Sequence, residues 1–147
     1  MEHWELVARE QIRDLVAAYA HLADTGRFAE LGALFSPDGV LEVEARERLR
    51  GRDAIQAFLA GAGTHLEATT GERLVRHHVS SHRMVLESTD RARGAAYFLV
   101  VTARGPDHWG RYRDVYVAGI DRWMLAHRHV RVDGWVAGSW AATRRDA

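Results

Sequence analysis

Apolar positions recur at steps of three and four in the first third of the chain and at steps of two afterwards. Ala8, Ile12, Leu15, Val16, Tyr19 and Ala23 make one stripe, with Arg9, Arg13 and Asp14 off it, which predicts an amphipathic first helix. "DTG" at Asp24–Gly26 ends it, and Gly26 suits the C-terminal cap. A short second helix is predicted over Phe28–Phe35, packing Leu31 and Leu34. "SPDG" at Ser36–Gly39 reads as a turn into a short strand, Val40–Val43. "GRDAIQAFLAGAG" predicts a third helix over Arg52–Ala60, burying Ile55, Phe58 and Leu59 and stopped by its glycines.

No helical period follows. Arg73–Leu86, Ala92–Thr102, His108–Ala118 and Trp123–Val132 alternate or run apolar, as strands do, with turns at "ESTDRAR", "ARGPDH" and "AGIDR". Neighbours so closely spaced pair antiparallel as a meander. The expected class is α+β: three N-terminal helices packed on a curved antiparallel sheet that forms a cone with a deep apolar pocket. Residues 1–147 read as one domain. The stretch 134–147 reads as a tail that covers the cone mouth, lies on a partner subunit or frays.

Strand parity sorts the side chains. Val75, His77, Val79 and Val85 share one face; His78, Ser80 and His82 share the other. His77 therefore stands among valines. Gly110, Tyr112, Asp114 and Tyr116 share a face, as do Met124, Ala126, Arg128 and Val130, opposite Trp123, Leu125, His127 and His129. Arg128 in an apolar row needs a carboxylate, and Asp114 on the neighbouring strand can supply it. Asp24 ends the first helix, where the dipole disfavours an anion by about 0.3–1 kcal/mol. It either serves a site or caps the helix that begins near Arg27.

Composition narrows the chemistry. Formal net charge is zero, so no electrostatic footprint points to nucleic acid, and no apolar run is long enough to span a membrane. The start "MEHWELVARE" lacks the apolar core of a signal peptide, so a cytoplasmic location is expected. Cysteine is absent, and all 20 basic residues are arginine. Thiol nucleophiles, thiolate metal sites and Schiff-base lysines are thereby excluded. His, Asp, Glu, Tyr, Arg and ordered water remain, and no cofactor is implied.

The order "YAHLAD", "ALFSPDGVLEV", "GRDAIQAFL", "RHHVSSHRM", "GRYRDVY", "RWMLAHRHV" resembles the SnoaL-like branch of the nuclear-transport-factor-2-like superfamily, over Val7–Val132. The pattern is similar to the scytalone dehydratase and hexachlorocyclohexane dehydrochlorinase group. The resemblance implies a cone around an apolar pocket, a homodimer or homotrimer, and a cofactor-free lyase, isomerase or cyclase acting on a small hydrophobic molecule. It implies that Asp24 and His77 pair to remove a proton, with Arg128 a third catalytic residue and Tyr112 lining the pocket. That group's dehydrochlorinase also uses a lysine, which this chain lacks. Sequences of this branch often have Asn where Ser81 stands, which marks Ser81 as a substrate contact. Tyr19, Tyr116 and Asp114 complete the expected substrate-binding set.

Three alternatives accompany this reading. His127 and His129, with His78 or His82 and a carboxylate, give a metal site only if a third ligand converges; no metal is expected. Asp24 or Asp114 activating water, with Arg128 orienting the carboxylates, gives a hydrolase of epoxide-hydrolase type. A non-catalytic ligand-binding domain requires the Asp24–His77 pair to lie out of hydrogen-bond reach.

Overall fold

The computed structural model describes residues 1–145. Its elements are α1 (His3–Asp24), α2 (Phe28–Gly32), β1 (Phe35–Val43), β2 (Glu47–Arg50), α3 (Arg52–Thr70), β3 (Val75–Leu86), β4 (Arg91–Thr102), β5 (Gly105–Ala118), β6 (Trp123–Trp135) and α4 (Trp140–Arg145). The strands form one sheet in the order β2-β1-β6-β5-β4-β3. The antiparallel meander β3–β6 matches expectation, but β1 joins β6 in parallel. β2 and β3 are free edges, so the curved sheet does not close into a barrel.

Helix α1 lays its predicted stripe, Ile12, Leu15, Val16 and Tyr19, into a core shared with Leu31, Phe35, Ile55 and Leu125. Each such side chain taken fully out of water contributes about 1.5–3 kcal/mol. Glycine does not stop α3, which continues through Gly61 and Gly63 to Thr70 and ends at Gly71 in the left-handed region. A Cβ on Gly63 would sit 3.1 Å from Phe28 Cζ, so this glycine lets the α2 ring approach α3. The second helix is shorter than its pattern suggests, because Phe35 already pairs with Leu125 of β6. "SPDG" is a bulge within β1: the register jumps from Phe35↔Leu125 to Val40↔His127.

Bulges also invert parity in the long strands, among them β3 and β6. Between Ser80↔Tyr97 and Arg83↔Ala95, β3 holds two residues against one on β4. Ser81 takes φ 53° there, which a β-carbon resists. Past the bulge, Met84 is buried and Val85 is exposed, the reverse of simple alternation. In β6, Ala126 is the extra residue between Leu125↔Tyr116 and His127↔Val115. Trp123 and Leu125 are consequently buried in the same core as Tyr116, rather than covering the outer face opposite Arg128.

Ser81 is solvent-exposed, and its position is set by backbone conformation. Ser81→Gly is expected to raise stability by about 1 kcal/mol, because relief of the left-handed strain exceeds the entropy glycine adds to the unfolded chain. A lower thermal midpoint in the variant would contradict this.

Candidate active site

Asp24 is the last residue of α1, which packs across β3. Its carboxylate accepts the His77 backbone N–H, with its two oxygens at 3.2 and 3.1 Å, and lies 2.6 Å from His77 Nδ1. The side chains are 11% and 16% exposed. Helix α2 is capped at Arg27 without any side-chain bond, so Asp24 does not serve as its cap. The His77 amide and ring instead compensate an anion placed at the wrong end of a helix. Holding Nδ1 fixes the ring plane and leaves Nε2 for the cavity.

That cavity, about 120 Å³, has mostly apolar walls, among them Leu41, Phe58, Phe98 and Val100. Tyr19, Tyr112 and His77 also line it, and Trp140 and Ala141 of α4 border it. An apolar cavity of about 150 Å³ takes a benzene-sized guest, so this one suits a single ring or less.

Behind Tyr19 and Tyr112 lies a second polar group. Arg128 and Asp114 pair through two bonds, Nε to Oδ1 at 2.9 Å and Nη2 to Oδ2 at 2.8 Å, with both side chains fully buried. The guanidinium carbon stands 4.2 Å from the Tyr19 ring centre and 3.9 Å from that of Tyr112. Burial works against its charge, but the Asp114 carboxylate outweighs burial and raises the Arg128 pKa. Arg128 Nη1 has no hydrogen-bond partner among the described residues. Tyr116 donates to Asp114 Oδ2 at 2.8 Å, in space kept open by Gly94, where a Cβ would meet Tyr116 Cε2 at 2.8 Å. Burial pushes the phenols of Tyr19, Tyr112 and Tyr116 up, so they stay protonated at ordinary pH.

The structure thus brings Asp24, His77, Tyr19 and Tyr112 together. Arg128, Asp114 and Tyr116 form a buried layer behind the wall of the cavity, and Ser81 lies outside it. His78 is exposed. His127 bonds Glu42 at 2.9 Å, and no three metal-ligating side chains converge among the described residues. Two histidines outside the expected catalytic and substrate-binding set matter more. The β3 bulge turns His82 inward, 3.1 Å from Tyr116 Oη, into a groove with His77 beside α1. His108 lines the cavity itself. It shares alternation with Tyr112, a signal present in the sequence.

Burial pushes the His82 imidazole below its ordinary value; Arg128 and Arg13 push the same way, against Asp114. The unfolded imidazole then binds its proton near pH about 6.5 and the folded one only at lower pH. The stability His82 contributes is present above that value and is lost as pH falls through the folded pKa. Thermal midpoints from pH 7.5 downward should fall less steeply in His82→Gln than in the wild type; equal slopes would contradict this.

A SnoaL-like domain model matches residues 4–129. The chain belongs to the SnoaL-like domain family. A Novosphingobium aromaticivorans protein provisionally assigned as a scytalone dehydratase is 25% identical, with TM-score 0.81, over 92% of this chain and 91% of that one. A protein with a cystatin-like fold from the same species is 27% identical, with TM-score 0.78, over 90% and 87%. LinA, at 15% identity and TM-score 0.79 over 90% of both chains, shares the fold. Among curated proteins, none matches this SnoaL-like chain in sequence. None of its described helices is long and apolar enough to cross a membrane.

Proposed function

We propose that this SnoaL-like protein is a cofactor-free lyase or isomerase that moves a proton on a small, single-ring hydrophobic molecule, with Asp24–His77 as the base. The observation that carries the reading is the 2.6 Å contact between Asp24 and His77 Nδ1, on a ring that lines an apolar cavity. An imidazole is suited to taking a proton near neutral pH, and an acidic carbon proton beside a carbonyl is the natural target. His77 Nε2 takes the proton, and the carbon–hydrogen electron pair moves toward the carbonyl. Asp24 holds the imidazolium. We assign to Tyr19 and Tyr112, which line the cavity and whose phenols stay protonated, the role of donating to the substrate oxygen, where negative charge gathers. The Arg128 guanidinium between their rings adds positive potential from behind the wall. The hydrolase reading has less support, because Asp114 is committed to Arg128 and Tyr116.

The test is a panel of single-ring β-hydroxy ketones and β,γ-unsaturated ketones, assayed with and without chelator. Water loss or double-bond migration that survives chelator is expected. Activity that disappears with a stoichiometric metal, or no turnover of any member, would overturn the reading.

We also propose association between copies. Its ground is Tyr97, Trp109 and Trp135, all exposed on the strands. Light scattering at micromolar concentration should show a dimer or trimer; a strict monomer would count against it.

A further inference from the structure

The groove between α1 and the free edge strand β3 is a space of its own, about 330 Å³, large enough for a small molecule. Helix α1 runs antiparallel to β3 here: Asp24 meets His77, and Arg9 Nη1 donates to the Met84 carbonyl at 3.4 Å. The groove therefore has two unlike ends. Arg13 and His82 stand at one, His21 and His77 at the other, and the wall between is apolar. Arg13, Ala17 and His21 follow at steps of four, so one face of α1 presents all three. Eight residues at a rise of 1.5 Å separate Arg13 from His21 by about 12 Å.

No carboxylate lines this groove. Arg13 and His21 are exposed and bonded to no carboxylate among the described residues. His82 is there because of the β3 bulge, held at the cost of a left-handed Ser81. Such strain persists where the surroundings over-determine it, and it clusters at ligand clamps. Tyr116 gives its proton to Asp114 Oδ2, so His82 Nε2, 3.1 Å from the same hydroxyl, carries a hydrogen and donates it. The neutral ring is then bare at Nδ1. Burial pushes the ring toward that neutral form; Arg128 and Arg13 push the same way, against Asp114. An anion set between Arg13 and His82 opposes all of this, and Nδ1 must take up a proton to donate to it.

We propose that the α1–β3 groove binds a medium-chain monocarboxylate, with its carboxylate on Arg13 and His82 and its alkyl chain along Val16, Ala17, Ala20 and Val79 toward His77. An extended chain advances about 1.2 Å per bond, so roughly eight carbons fill the distance. Methylene groups match the apolar wall, and the single charged end fixes the direction. A free carboxylic acid is ionised above pH about 5, so the ligand arrives as an anion. Binding takes up one proton, at His82 Nδ1, and tightens as pH falls from about 8 to about 6.5. His77 borders both spaces, so the end of the chain lies against the ring that also lines the cavity. Binding is read directly, and the proposal stands whether or not His77 is a base.

The test is calorimetric titration of the full chain with octanoate, octan-1-ol and octyltrimethylammonium, in buffers of different ionisation heat. Octanoate should bind one to one, and the alcohol and the cation at least about ten-fold more weakly. Arg13→Gln should weaken octanoate by about ten- to a hundred-fold, the worth of a charge-assisted hydrogen bond, and Arg13→Lys should restore part of it. Ala17→Phe, at an exposed helix position, should fill the groove and abolish binding. The wild-type heat should vary with the buffer, as proton uptake requires; in His82→Gln it should not, and affinity should no longer rise as pH falls. Arg113→Gln, an exposed arginine of β5 away from the groove, should bind as the wild type does. Failure of octanoate to bind, or equal binding of the alcohol, would overturn the proposal. So would wild-type affinity in folded Ala17→Phe and Arg13→Gln, because the chain would then occupy the cavity instead. Should Ala17→Phe not fold, Arg13→Gln and its lysine rescue decide the matter alone.

Discussion

Replacing His77 by alanine or Asp24 by asparagine is expected to lower turnover by about a hundred- to ten-thousand-fold, the usual contribution of a positioned general base. The two changes act on one unit. Asp24 touches both the amide and Nδ1 of His77, so asparagine removes the charge that supports the imidazolium and allows the wrong tautomer. The double variant should therefore be little worse than either single one. His78→Ala is the control: it is the next residue of β3 but exposed on the opposite face, so its effect should be within a few-fold. Steady-state rates on a substrate from the panel, beside thermal melts, make the comparison. Multiplicative losses in the double variant, or a dead His78→Ala in a folded protein, would contradict the assignment.

Breaking the Arg128–Asp114 pair should cost the most stability. Both side chains are fully buried and joined by two bonds. Arg128→Met leaves the Asp114 carboxylate without its cation, and Asp114→Leu leaves the guanidinium without its anion. Each single change is expected to destabilise by about 3–5 kcal/mol. The double change to Met and Leu removes both charges and should recover much of that loss, although Tyr116 and His82 lose their acceptor at the end of the chain. Urea denaturation of the three variants measures this. Single variants within about 1 kcal/mol of the wild type would contradict it.

What was legible in the sequence follows from the two periods of its apolar residues. The α1 stripe and the inward face of Tyr112, Asp114 and Tyr116 could be read because nothing interrupts their periods, and the four long strands because turn residues bound each of them. The Arg128–Asp114 pairing came from the same rule, one cation in an apolar row with one carboxylate on the next strand. Bulges limited the reading. One at Ser81 turned His82 inward, one at Ala126 put Trp123 and Leu125 into the core, and one at Asp107 created a carboxylate–imidazole pair from adjacent residues. An extra residue leaves no mark on composition, and Ser81 in the left-handed region carries no glycine to announce it. Gly63 misled in the other direction: it permits a close approach of Phe28 and does not end its helix. The depth of Arg128 was equally hidden, since parity gives a face but not whether aromatic rings intervene.

Exchange of solvent deuterium into cyclohexanone tests the central claim most directly, because this ring has an acidic C–H and no leaving group. The account predicts that the wild type catalyses exchange at the carbon beside the carbonyl, that chelator leaves the rate unchanged, and that His77→Ala abolishes it in a protein that melts like the wild type. Exchange at the wild-type rate in folded His77→Ala would contradict the account, for the proton would then be leaving by a route that does not involve the Asp24–His77 pair.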